Sequence, residues 1–192
     1  MGEKTRRNWI IALPLMVAIV AAGVWIWSQD ETTASTVDTD VQSGEVALVT
    51  DTDRTPIPLD YDGIIPMTVY QSPTCGCCGL WVEHVEAYGF EVETHLTADM
   101  GAVKEGLSVP FEISSCHTAV VEGYVIEGHV PGEDIRRLLA ETPTARGLTV
   151  PGMPIGSPGM EMEDRIDPYD VLLFTEEGEI RVWASHGPNG TR

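Results

Sequence analysis

All four cysteines of this chain lie in two short runs, Thr74-Cys-Gly-Cys-Cys-Gly79 and Ser115-Cys-His-Thr118. Cys75 and Cys78 have the i, i+3 spacing of a redox dithiol, which supports thiol–disulfide exchange. Cys77 and Cys116 are more sulfur than that exchange requires. Soft thiolates gathered in one place favour copper(I), zinc or an iron–sulfur cluster. Structural zinc usually draws cysteine or histidine pairs from separate turns, and iron–sulfur spacing spreads its cysteines more widely. Three cysteines within four residues fit both poorly. Copper(I) tolerates few ligands and bridging thiolates, so several ions can share four sulfurs. From chemistry alone copper(I) leads, a redox-only dithiol is the rival, and zinc or iron–sulfur come behind.

Other soft or nitrogen donors surround these runs. His117 neighbours Cys116 as a ligand or as a partner to its thiolate. The run Val150-Pro-Gly-Met-Pro-Ile-Gly-Ser-Pro-Gly-Met-Glu161 is too rich in Gly and Pro for a helix or a central strand. Met153 and Met160 therefore belong to no periodic core stripe. Their thioethers suit copper(I) if the loop lies across the cysteines as a lid, and the plainer expectation is that they pack the loop onto the body. The same packing role is expected more strongly of Met162. His84 sits seven residues after Cys77, about 10 Å along a helix axis, too far to share one ion. His129, in Glu127-Gly-His-Val-Pro131, reads as structural, and His95 and His186 carry no signal.

The elements that must position these residues are legible. Met67–Tyr70 is a short apolar strand, turned by Pro73-Thr74 into the cysteine run. A helix follows from Gly76 to Tyr88, closed by Gly89. Cys75 caps it, and its free N–H groups and dipole favour thiolates there. Phe90–Leu96 alternates as a strand. Thr97 to Gly106 is a short helix capped by Thr97 or Asp99. Thr118–Val121 and Tyr124–Glu127 are strands joined by the tight turn Glu122-Gly123. A helix from Pro131 to Glu141 buries Ile135, Leu138 and Leu139. Asp170–Phe174 and Ile180–Ala184 form a last hairpin around Glu177-Gly178.

Up to Glu141 the order is strand, helix, strand, helix, hairpin, helix. This is the thioredoxin order, with parallel first strands and a right-handed crossover. In such a fold the loop Ser114–His117 lies against the start of the first helix and brings Cys116 to the other three thiols. The expected fold class is therefore α/β, thioredoxin-like, with an added C-terminal β-hairpin.

Lys4, Arg6 and Arg7 precede an uncharged stretch from Trp9 to Trp27. At 1.5 Å per residue it reaches roughly 28 Å, close to a bilayer core of about 30 Å. The basic flank stays cytoplasmic and the tryptophans sit at the two interfaces. Residues 1–28 are thus expected to be a single transmembrane anchor, with a cleaved signal sequence as the alternative. The exported body faces an oxidising compartment. Residues 29–55 read as an acidic flexible tether, with Glu45–Val49 as a short strand at most. Residues 56–185 form one domain with a real core, and 186–192 a disordered tail. The formal charge of −19 argues against nucleic acid and anionic lipid as partners.

Taken together, several motifs resemble the CopG-type copper-resistance family, a bacterial envelope family long catalogued as a domain of unknown function and distinct from the DNA-binding repressors of the same name. They are Ser72-Pro-Thr-Cys-Gly-Cys-Cys-Gly79 with Trp81 and His84, Ser115-Cys-His-Thr-Ala119, Gly123-Tyr124, Glu127-Gly-His-Val-Pro131, Gly152-Met-Pro154 and Gly156-Ser-Pro-Gly-Met-Glu161. The resemblance runs from Pro66 to Phe174. It implies a thioredoxin-like fold, export, and a copper–thiolate cluster on Cys75, Cys77, Cys78 and Cys116, with redox chemistry on copper or thiols suspected. The family's usual leader is cleavable, whereas this chain looks anchored. The expected function is periplasm-facing copper(I) binding in copper resistance, from the bacterial inner membrane. A periplasmic copper protein or a thiol reductase is the expected protein partner. The alternative is an oxidoreductase on Cys75 and Cys78, acting on thiols or on copper(II).

Overall fold

The structure is a computed structural model that describes residues 54–163 and 165–191. The expected anchor over 1–28, the tether up to Asp53 and the short strand at Glu45–Val49 lie outside the described residues. Among the described residues no helix is long and apolar enough to cross a membrane.

The fold is mixed α/β around one seven-stranded sheet of order β2-β1-β3-β4-β5-β6-β7. The strands are β1 (Ile65–Gln71), β2 (Phe90–Leu96), β3 (His117–Val121), β4 (Tyr124–Glu127), β5 (Gly147–Thr149), β6 (Tyr169–Phe174) and β7 (Ile180–His186). Among the described residues three α-helices accompany them: α1 (Gly76–Glu86), α2 (Met100–Gly106) and α3 (Gly132–Glu141). β1 runs parallel to β2 and antiparallel to β3. The β1–α1–β2 unit therefore brings the end of β1 and the start of α1 to the edge where β3 begins.

The strand periodicity of two sorts the core into two faces. Met67, Val69, Ala119, Ile126, Leu148 and Leu173 pack with Trp81 and Val85 of α1 and with Ile135, Leu138 and Leu139 of α3. Val125 and Phe174 face the other way, against Leu107, Val109 and Ile113 beyond α2. The sheet is thus covered by α1 and α3 on one side and by α2 with its following loop on the other.

Most expected elements are present within two residues, and β2 and β4 have the expected ends. Asp99, not Thr97, caps α2, its carboxylate accepting the Ala102 N–H at 3.0 Å. Pro131 is the cap of α3 rather than part of its first turn. The turn Glu122-Gly123 has positive φ at both residues, 46° and 76°, the geometry that matches a hairpin's twist. β5 was not expected. It is only three residues long and pairs with β4 and β6. Gly147 is required there, since a Cβ would sit 1.7 Å from the Val125 carbonyl oxygen. β7 runs on to His186, where the sequence suggests a tail. The His186 ring stacks on Tyr169 and its Nε2 lies 2.6 Å from the Asp134 carboxylate.

Candidate metal centre

Cys75 is the N-cap residue of α1, in extended backbone, with Cys77 and Cys78 in the first turn. Cys116 arrives on the loop that enters β3. The four sulfurs lie within 4.8 Å of one another. Cys75 and Cys78 form a disulfide, and Cys77 and Cys116 are free. The Cys77 sulfur lies 3.6 Å from that of Cys75, and the Cys116 sulfur 3.6 Å from that of Cys78. Cys78 is fully buried and the other three are half-buried. The expected juxtaposition of Cys116 with the helix cysteines is therefore present.

Two histidines converge on the same sulfur. His117 Nδ1 lies 3.3 Å and His129 Nε2 3.1 Å from Cys116 Sγ. Cys116, His117 and His129 form a second group of close potential ligands, sharing Cys116 with the first. His129, which the sequence reads as structural, also faces the cysteine site. His129 Nδ1 lies 2.7 Å from the Pro158 carbonyl oxygen. A carbonyl only accepts, so Nδ1 carries the proton and Nε2 presents its lone pair to Cys116. His117 is completely buried and tilts against the Trp81 ring at 4.3 Å. Trp81 is itself fixed by donating its indole N–H to the Val130 oxygen at 2.9 Å.

Electrostatics keep this corner uncharged. Burial, and then the neighbouring Cys77 sulfur, push the Cys116 thiol up to about 11. Burial first, then His129 and Lys104, hold His117 well below the ordinary histidine value. Burial lowers His129 against the opposing pull of the Pro158 carbonyl and Glu161. Burial thus favours the uncharged forms of the Cys116 thiol and of both imidazoles at this corner.

The Cys116 loop is held from beneath. Glu127, completely buried on β4, accepts from Lys104 of α2 and from the backbone N–H of Ser115. Its other oxygen accepts the Thr118 hydroxyl at 2.7 Å, and Lys104 also donates to that hydroxyl at 3.0 Å. Sequence reasoning did not single out Lys104 or Glu127. His84 lies elsewhere, as its spacing implied: its Nε2 accepts the Gly132 N–H at the start of α3.

The loop from Val150 to Glu161 does reach the site, through its backbone. The Gly152 oxygen accepts the Ser115 hydroxyl, Pro158 receives His129, and Gly159 presses on α1. A Cβ on Gly159 would sit 2.7 Å from the Trp81 backbone nitrogen and 2.9 Å from the Cys77 backbone oxygen. Met153 and Met162 are more than half exposed, and Met160 is half-buried.

Two solved structures of a copper resistance protein CopG, forms 1 and 2, are each 48% identical to this chain with a TM-score of 0.61. Each match covers 64% of this chain, and 97% and 98% of the respective relative. The chain belongs to the CopG-type copper-resistance family. A family described as "Protein of unknown function, DUF411" matches residues 113–160, the stretch that carries Cys116, His117, His129 and the methionine loop. No curated protein sequence matches. Membership in the CopG-type family and the cysteine cluster together give the chain a copper-related function.

Proposed function

We propose that this protein binds copper(I) through the thiolates of Cys75, Cys77, Cys78 and Cys116, as part of bacterial copper resistance. The observation that carries this reading is the convergence of four sulfurs, from segments 38 residues apart, within 4.8 Å. Reduction of the Cys75–Cys78 disulfide by an external thiol supplies two of the four thiolates. Copper(I) then replaces the thiol protons, and several ions can bridge between sulfurs. His117 Nδ1 and His129 Nε2 offer nitrogen donors next to Cys116, and imidazole also suits copper. Met153 and Met160 would serve as outer shields on a loop whose backbone already closes on α1.

The fold is read as thioredoxin-like. The β1–α1–β2–α2–β3–β4–α3 order supports this, as do the parallel β1–β2 pair and the antiparallel β3 and β4. β5 to β7 extend the sheet beyond it. The body is proposed to face the periplasm from an inner-membrane anchor at residues 1–28, supported by the apolar run after Arg7. A reporter that is active only when exported, fused after the last residue, should be active. Inactivity would remove this placement.

The Cys75–Cys78 disulfide favours a second reading, an oxidoreductase acting on thiols or on copper(II). Copper counting on two variants of the full chain separates the readings. Copper binding predicts that Cys116→Ser and Cys75→Ser both lose most of the copper. A pure oxidoreductase predicts that Cys116→Ser keeps full dithiol activity while Cys75→Ser has none.

A further inference from the structure

Cys116 faces more than a set of sulfurs. Its sulfur lies 3.6 Å from one atom of an existing disulfide, Cys78 Sγ, and 3.1 Å from an imidazole nitrogen with a free lone pair. That imidazole is oriented by its other nitrogen, which donates to the Pro158 oxygen at 2.7 Å. Burial pushes the Cys116 thiol up to about 11 and keeps it protonated at rest, so its thiolate must be formed during the attack. A nucleophile, a base within reach and a third group orienting the base are the parts that do this. The target is also well chosen. The bond to be broken joins Cys78 to Cys75, and Cys75 is the N-cap of an eleven-residue helix, where its side chain makes no capping hydrogen bond. A thiolate leaving at that position meets free N–H groups and the positive end of the helix dipole. Disulfide exchange is faster the better its leaving thiolate.

We infer that Cys116, with His129 as its general base, attacks Cys78 and moves the disulfide inward from Cys75–Cys78 to Cys78–Cys116. The step balances without any outside oxidant. Cys116 gives its proton to His129 Nε2, the Cys116–Cys78 sulfur bond forms, and the Cys78–Cys75 bond breaks. The electron pair of the broken bond goes to Cys75, which ends as a thiolate and recovers a proton from the imidazolium through solvent. One disulfide and two free thiols are present before and after. What changes is which thiols are free. Cys75 and Cys77, whose sulfurs lie 3.6 Å apart and half-buried, become a reduced outer pair, while the disulfide joins Cys116 to the buried Cys78. An oxidised chain would thereby keep two adjacent thiols at its surface. The exchange needs no metal and does not rest on copper binding, so a copper-free test separates the failure of one from the failure of the other.

The test uses the full chain, stripped of copper with a chelator. In Cys75→Ser/Cys77→Ser only Cys78 and Cys116 remain, and glutathione disulfide is added. The expected product is an intramolecular Cys78–Cys116 bond, located by fragmentation mass spectrometry. A folded double variant that stops at glutathione adducts would overturn the proposal. In wild type carrying one disulfide, rapid alkylation should label Cys75 in part of the population. Label confined to Cys77 and Cys116 would count against the exchange. Adding His129→Gln to the double variant should slow bond closure about tenfold or more. An unchanged rate would remove His129 as the base.

Discussion

Two loops meet over the start of α1, and they are held in opposite ways. The Ser114–His117 loop is fastened by side chains, through the buried Glu127 with Lys104, Thr118 and the Ser115 N–H. The Val150–Glu161 loop is fastened by its backbone, through Gly152, Pro158 and Gly159, and leaves Met153 more than half exposed. Buried charge satisfied on every side fixes one arrangement firmly, because any slip leaves an unpaired group. Backbone contact at glycine fixes a close approach and leaves the side chains free. The first loop is built to place one sulfur accurately, and the second to cover it.

Breaking the first device should cost most. Glu127→Gln leaves Lys104 without its carboxylate and should destabilise the fold by about 3 kcal/mol, read by denaturant unfolding. Lys104→Met in the same chain should recover part of that loss, because it removes the unpaired charge. If Glu127→Gln alone is neutral, the network does not hold the loop.

Gly159→Ala tests the second device. The residue has φ near +80° and faces the backbone nitrogen of Trp81 and the backbone oxygen of Cys77. The substitution should cost about 2 kcal/mol and raise the alkylation rate of Cys116 as the loop lifts. Destabilisation with no change in thiol reactivity would show that the loop does not cover the site.

Acid sharpens the picture of a neutral site. His117, His129 and His84 are all lowered, with burial the largest cause in each. In the unfolded chain they take up protons near 6.5, while in the fold they do so only at lower pH. The unfolded state therefore binds more protons in that window. The melting temperature of the copper-free protein should fall as pH drops below about 6.5. His117→Phe should flatten the slope.

The smallest effect is expected at Met153. Met153→Ala should change stability by less than about 0.5 kcal/mol, while copper(I) is lost faster to a chelator. An unchanged loss rate would leave the methionine with no shielding role.

How much of this could be read from the sequence depends on how local the signal is. β2 and β4 have the expected ends because alternation and a two-residue turn are local features. β5 escaped because three residues carry no period, and its need for Gly147 comes from β4. His129 is more instructive. The Glu122-Gly123 turn was legible, and it pairs Val121 with Tyr124 and Thr118 with Glu127. Continuing that register past the strand ends puts Cys116 opposite His129. The signal for His129 lies in the hairpin register and not in the residues next to it. Lys104 and Glu127 had no such signal, since their pairing is set by where α2 lands on the sheet. The cysteine convergence was legible because the fold order itself places the β3 entry loop at the start of α1.

The central claim is that the four sulfurs act as one copper(I) site. The most direct test loads the full chain with copper(I) in detergent, without oxygen and under reduction, removes the excess, and counts bound copper by native mass spectrometry. The account predicts more than one tightly held copper ion per wild-type chain, and loss of most of them in Cys116→Ser. A folded wild-type chain that retains no copper, yet shows four reactive thiols and a reversible Cys75–Cys78 disulfide, would contradict it.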